Sequence, residues 1–159
     1  MENYKIRPAR QSDWPQILEI SAEYVWAQLP LDRRGEGSLA MVRANLERRI
    51  QRIQGSQGVP NEAFVMEDPH GLLAGYIWLC EKKDEWTSQK EGFVLDLYVK
   101  PELRGRGLGR RLMQWAEQWA KLRGYRHLSF SVFPGNDIAR HLSESLGYRI
   151  DFLRMRRRF

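Results

Sequence analysis

Apolar residues along the chain recur with two periods, and the changes of period divide it into strands and helices. A short strand is predicted over 4–7. Pro8 and the turn residues Gln11, Ser12 and Asp13 pass it to a helix, with Ser12 as candidate N-cap, in which Trp14, Ile17, Leu18, Ser21, Ala22 and Val25 keep a helical spacing. After a break at Leu29, Pro30, Leu31 and Asp32 and a polar Gly35-Glu36-Gly37, a second helix runs over 39–53 and ends in the loop 55–60. Strands over 62–67 and 72–81 flank Asp68-Pro69-His70-Gly71 and read as a hairpin. A charged link over 81–90, with Trp86 in its middle, leads to a fourth strand, apolar over 93–99 and ended by Pro101. From Gly107 the period becomes helical, and Leu108, Leu112, Trp115, Ala116, Trp119 and Leu122 form one apolar stripe that stops at Gly124. A strand over 128–133, a helix from Asn136 to the stop at Gly147, and a last strand over 148–156 complete the chain.

The resulting order is β-α-α-β-β-β-α-β-α-β: an α/β (α+β) arrangement in which a mixed sheet carries helices on both faces and the glycine-led helix makes one parallel crossover. At 159 residues, with 42% apolar and 11% aromatic content, the chain suits a single globular domain over 1–159. One cysteine, Cys80, excludes an intramolecular disulfide and fits a reducing compartment. No apolar run approaches a membrane span, so a cytoplasmic protein is expected. His70, His127 and His141 lack neighbours at ligand spacing, so no metal is indicated.

The formal charge of +6 changes this picture in one place. Part of the excess lies in the tail residues Arg154, Arg156, Arg157 and Arg158, which suit a solvated edge strand. Another part is packed into the loop Arg104-Gly105-Arg106-Gly107-Leu108-Gly109 and the following Arg110 and Arg111. Alternate glycines let a ligand approach backbone N–H groups closely. Arginines at a helix N-terminus are out of favour with the helix dipole unless a polyanion such as a diphosphate rests among them. Two familiar phosphate loops do not fit: a G-x-G-x-x-G fingerprint from Gly105 would need glycine where Arg110 stands, and a Walker loop would need Lys-Ser/Thr where Arg110-Arg111 stands.

A third pattern fits. Arg104-x-x-Gly107-x-Gly109, five residues after a strand ending in Leu97-Tyr98-Val99, closely resembles the acyl-CoA loop of the GNAT superfamily of N-acetyltransferases. Downstream, Asn136, Ala139, Leu142, Leu146, Gly147 and Tyr148 resemble the same superfamily's N-x-x-A-x-x-L-Y-x-x-x-G-F segment, with Ser143 in place of its tyrosine. The resemblance covers nearly the whole chain. It implies a mostly antiparallel sheet of about six or seven strands and acetyl-CoA as cosubstrate. Leu97, Tyr98 and Val99 would pair with the pantetheine arm through their backbone, the loop Arg104, Gly105, Arg106, Gly107, Leu108, Gly109 and Arg110 would hold the diphosphate, and Asn136 would contact CoA or cap its own helix.

Chemistry is implied less fully. Relatives often keep a base glutamate on the strand at positions that here are Phe93 and Leu95, both apolar. Asp96 is the carboxylate on that strand. Simple alternation turns it away from Phe93, Leu95, Leu97 and Val99, leaving it to act as base, to bind a cationic acceptor as in the diamine acetyltransferases this strand and loop resemble, or to pair with an arginine. Ser143 would look onto the CoA sulfur, where relatives keep the tyrosine acid. In the proteins this chain resembles, the segment joining the first two helices helps form the acceptor pocket; here Trp26, Leu29, Pro30 and Asp32 would line one, with Trp86 over its mouth, or would simply pack a helix end and a turn. The expected activity is direct acetyl transfer to a primary amine in a ternary complex. A noncatalytic acyl-CoA sensor and a basic nucleic-acid-binding domain are the alternatives, and the acceptor's identity and a homodimer stay open.

Overall fold

The structure, a computed structural model, describes residues 3–159. Its frame is a five-stranded sheet in simple order, built from β1 (Lys5–Pro8), β2 (Asn61–Glu67), β3 (Leu73–Lys83), β4 (Lys90–Val99) and β5 (Leu128–Phe130). The first three pairings are antiparallel and β4 with β5 is parallel. On one face lie α1 (Trp14–Gln28) and α3 (Leu39–Gln54), joined through the single turn α2 (Leu31–Arg34). The other face carries α4 (Leu108–Leu122), and α5 (Asp137–Ser145) follows β5.

Each face has its own core because β3 is buried on both sides and its alternate residues serve opposite layers. Ile77 and Leu79 join Val94, Val99, Leu112, Met113, Ala116 and Trp119 beneath α4. Tyr76 packs with Ile17 and Val65 beneath α1, and Trp78 meets Trp14 edge-on at 5.0 Å.

Four expectations need correction. Five strands are described rather than six or seven, because residues 148–156 form no ladder; Ile150, Phe152, Leu153 and Met155 are exposed instead. The strand expected over 128–133 pairs only through Leu128–Phe130. The break at Leu29–Asp32 contains a helical turn, with Pro30 as its N-cap. Ser12 does not cap α1: residues Gln11–Asp13 form a 3₁₀ turn in which the Asp13 carboxylate accepts from the Arg10 amide at 2.6 Å and pairs with Arg7 at 2.7 Å.

The register of β4 carries the largest consequence. Trp78 pairs with Asp96 and Leu79 with Val94, so Leu95 is an extra residue in a bulge. The bulge resets the alternation. Val94 lies on the α4 side, and so do Leu97 and Val99, while Asp96 and Tyr98 face α1 with Tyr76. Phe93, opposite Cys80 and under the Lys82 ammonium at 4.9 Å, is therefore on the same side as Asp96. The expectation that Asp96 points away from Phe93 fails for this reason.

Candidate functional site

β4 and β5 are paired only from Gly92 to Val94. Beyond that point β4 runs on through Val99 with β3 on one side and no β5 partner on the other, opening a cleft along an edge that no strand pairs. The glycine loop closes the upper end of this cleft. Gly105 has φ +77° and Gly107 φ +79°, and a Cβ at either would meet no atom within 4 Å. These two glycines hold left-handed backbone with open space above it, and Gly107 is the N-cap of α4, where unpaired N–H groups collect. Such a cradle fits a diphosphate by shape and by dipole. Gly109 differs: a Cβ there would lie 3.1 Å from Leu142 Cδ2, so its missing side chain lets α4 approach α5.

The arginines are partly spoken for. Arg104 Nε donates to the Val99 carbonyl at 3.0 Å, and its guanidinium lies 6.0 Å from the centre of the Tyr98 ring. Arg110 reaches Ser145 Oγ at 2.7 Å, tying α4 to α5. Arg106 and Arg111 are exposed beside the loop.

Below the loop, on the α1 side of β4, is a cluster of phenols around one carboxylate. The buried Tyr76 hydroxyl donates to Asp96 Oδ2 at 2.8 Å, and Ser21 of α1 and the Leu97 amide contribute further hydrogen bonds to the same carboxylate. Burial nevertheless holds the Asp96 pKa above its ordinary value, outweighing these donors. Burial and the adjacent Asp96 push Tyr76 well above the usual phenol range, so it remains a donor. Tyr98 stacks on Tyr76 at 5.7 Å, and Tyr24 of α1 stands edge-on to Tyr98 at 6.4 Å.

Asn136 caps α5, its side-chain oxygen accepting from the Ala139 amide at 3.1 Å, while its Nδ2 donates to the Tyr24 hydroxyl. Ser143 lies in the last turn of α5, where Oγ donates to the Ala139 carbonyl at 2.6 Å. The elements thus bring Leu97, Tyr98, Val99, Arg104 and Asn136 together around the upper cleft, with Asp96 beneath them on the α1 side.

A separate hollow of about 170 Å³ lies where α1 meets the α2–α3 connection, lined by Trp26, Leu29, Glu36 and Met41 with Arg156 from the tail. Trp26 and Leu29, expected at an acceptor pocket, line this hollow, while Pro30 and Asp32 belong to the start of α2. Trp86 is exposed in the β3–β4 turn, at the opposite end of β4 from the glycine loop. Sequence reasoning missed Tyr24, Tyr76 and Ser21. Ser21 was visible as a polar residue within the apolar stripe of α1, whereas nothing in the linear pattern distinguished the two tyrosines.

Among known proteins, the acetyltransferase (GNAT) family model matches residues 22–148. The chain is similar to the uncharacterised N-acetyltransferase YdgE of Bacillus subtilis (strain 168), 31% identical over 87 residues that make up 55% of this chain and 54% of that protein. It is also similar to YycN of the same organism, 30% identical over 77 residues, 48% of each chain. The matched segments span about half the length of these curated relatives. Among solved structures, one from Pyrococcus furiosus described as an acetyl transferase superimposes with a TM-score of 0.80 at 23% identity, covering 99% of this chain and 100% of its own. An aminoglycoside 6′-N-acetyltransferase of Acinetobacter haemolyticus gives 0.68 at 16% identity, covering 98% and 99%. At these identities the solved structures establish a shared fold.

Proposed function

The chain belongs to the acetyltransferase (GNAT) family, and on that premise we propose that it transfers an acetyl group from acetyl-CoA to a primary amine, directly, with both substrates bound together. The observation that carries this reading is the parting of β4 from β5 directly below a loop whose two left-handed glycines face open space. Backbone amides from Gly105 to Gly109, with the dipole of α4 behind them and the arginines beside them, suit the diphosphate. The edge of β4 at Leu97–Val99, which β5 does not pair, suits an arm that carries its own amides, with Arg104 giving up the Val99 carbonyl as the arm pairs there. When bound, acetyl-CoA supplies the activated acyl carbon.

Asp96 has the features of the missing glutamate. The bulge sets it on the α1 side beside the cleft, and its raised pKa makes it a stronger base than an ordinary carboxylate. It takes the proton that the amine sheds, or holds the charge of a cationic acceptor; the second role would suit a diamine or polyamine. Ser143 stands two turns beyond Asn136, where it contributes at most a weak donor toward the departing sulfur. A noncatalytic acyl-CoA sensor is the second reading, favoured by Ser143, whose hydroxyl is already given to Ala139.

The test is release of free CoA thiol from acetyl-CoA across a panel of polyamines, aminoglycosides, amino acids and peptide N-termini. Amine-dependent release supports the transferase. CoA binding with no release under any amine favours the sensor, and binding that instead follows DNA and falls steeply with salt would support the basic domain.

A further inference from the structure

One contact crosses the cleft and brings α1 into it. Tyr24 of α1 and Asn136 at the start of α5 are 112 residues apart in sequence, yet their side chains are hydrogen bonded. The orientation of this bond is fixed. Asn136 Oδ1 is committed to the Ala139 amide at the N-cap of α5, so Nδ2 is the end that faces Tyr24, and the phenol oxygen must accept. The phenol proton is then left to point elsewhere in the cleft. Tyr24 and Tyr98 meet edge-on, and Arg104 lies over Tyr98, so the bridge stands above β4 between the glycine loop and Asp96. This is the stretch along which an arm held by the Leu97–Val99 edge would pass.

We propose that Tyr24 of α1 forms a clasp with Asn136, the residue already expected to contact CoA, over the arm that joins the nucleotide to the thioester, the Tyr24 hydroxyl leaving its mutual bond with Asn136 Nδ2 to hydrogen bond the arm's amide groups. The proposal rests on the acyl-CoA reading of the cleft and adds a binding residue from α1, outside the loop and strand. The chemistry matches: a phenol proton and an amide N–H₂ are donors, and a chain of secondary amides offers carbonyl acceptors. Burial raises the Tyr24 pKa, which keeps the hydroxyl protonated through the neutral range. The clasp recognises the arm and not the nucleotide, and this separates it from general tightening of the fold.

Calorimetric binding of CoA and of adenosine 3′,5′-bisphosphate, which has the nucleotide end without the arm, tests the clasp without relying on turnover. Tyr24→Phe keeps the ring against Tyr98 and should weaken CoA roughly three- to tenfold, the worth of one neutral hydrogen bond, while leaving the bisphosphate unchanged. Asn136→Asp keeps a good N-cap but removes the donor, and should show the same selective loss. Equal weakening of both ligands, wild-type affinity in both variants, or tighter CoA binding on loss of the bridge would each overturn the clasp. A wild-type chain that binds the bisphosphate and CoA equally would overturn it too, whereas no CoA binding at all would remove the acyl-CoA reading on which it rests.

Discussion

Replacing Gly107 by alanine separates the backbone cost of the glycine loop from its role toward an anion. Gly107 has φ +79°, and an added Cβ would meet nothing within 4 Å, so the protein itself offers no clash. The cost is conformational: a non-glycine residue in left-handed backbone loses roughly 1–2 kcal/mol, partly offset by about 0.4–1 kcal/mol from the stiffer unfolded chain. A net loss of about 1 kcal/mol should lower Tm by about 2–4 °C in a domain of this size. Gly124, at the far end of α4, has φ +75° and equally open space, so Gly124→Ala is a matched control with the same backbone penalty and no place near the cleft. The ligand effect should appear only at Gly107, where the methyl group would project into the space an oxyanion needs. CoA at ~100 times its dissociation constant stabilises a folded protein by about 2.7 kcal/mol. A tenfold loss of affinity removes about 1.4 kcal/mol of that. Thermal melts of the three proteins with and without CoA measure both quantities. If Gly107→Ala retains the wild-type CoA shift, the loop does not hold the diphosphate; if Gly124→Ala loses it equally, the effect is global and the reasoning fails.

Further outcomes follow from the carboxylates and from Ser143. Because burial raises the Asp96 pKa, ionised Asp96 opposes folding above its folded pKa. Asp96→Asn should therefore lose activity yet melt no lower than wild type at neutral pH, with any gain fading as pH falls through the folded pKa toward the ordinary value of 3.8. If Asp96 binds a cationic acceptor, this variant should raise KM more than it lowers kcat; equal falls in kcat and kcat/KM would make it part of the chemistry. Asp13 has the opposite sign: hydrogen bonds from Arg7 hold its pKa below 3.8, so Asp13→Asn should cost about 1–2 kcal/mol at neutral pH, discounted for its partial exposure, and the deficit should vanish as pH falls through the lowered value. Ser143→Ala should slow turnover by clearly less than the ~10²-fold lower bound for general acid assistance. Ser143→Tyr should raise kcat with little change in CoA affinity; a folded, CoA-binding tyrosine variant that is no faster would show that the acid position is misassigned or that departure of the thiolate does not limit the rate.

What could be read from the letters was the strand, loop and helix around residues 93–122, because period, glycine spacing and charge all change there together, and Gly105 and Gly107 do hold the unusual backbone those letters suggest. What could not be read depends on partners distant in sequence. The face of Asp96 turns on the bulge at Leu95, which is set by how Trp78 and Leu79 meet β4 and leaves no trace in β4's own alternation. The segment 148–156 has strand-forming residues, but ladders need a neighbour, and no strand of this chain takes that place among the described residues. Tyr24 looked like an ordinary position on α1 until the fold brought Asn136 across to it. The close approach of Gly109 to Leu142, a side chain from a helix formed much later in the chain, likewise has no trace in the letters of the loop.

The central claim, that this cleft moves an acetyl group from CoA to an amine, is tested most directly by mass analysis of both products after incubation with isotopically labelled acetyl-CoA and the amine panel. The account predicts labelled acetyl amide and free CoA thiol in equal amounts with at least one amine, and loss of both in Gly107→Val, whose β-branched side chain cannot share the left-handed backbone with a bound diphosphate. Free thiol with labelled acetate and no amide, or bound CoA that never changes with any amine, would contradict it.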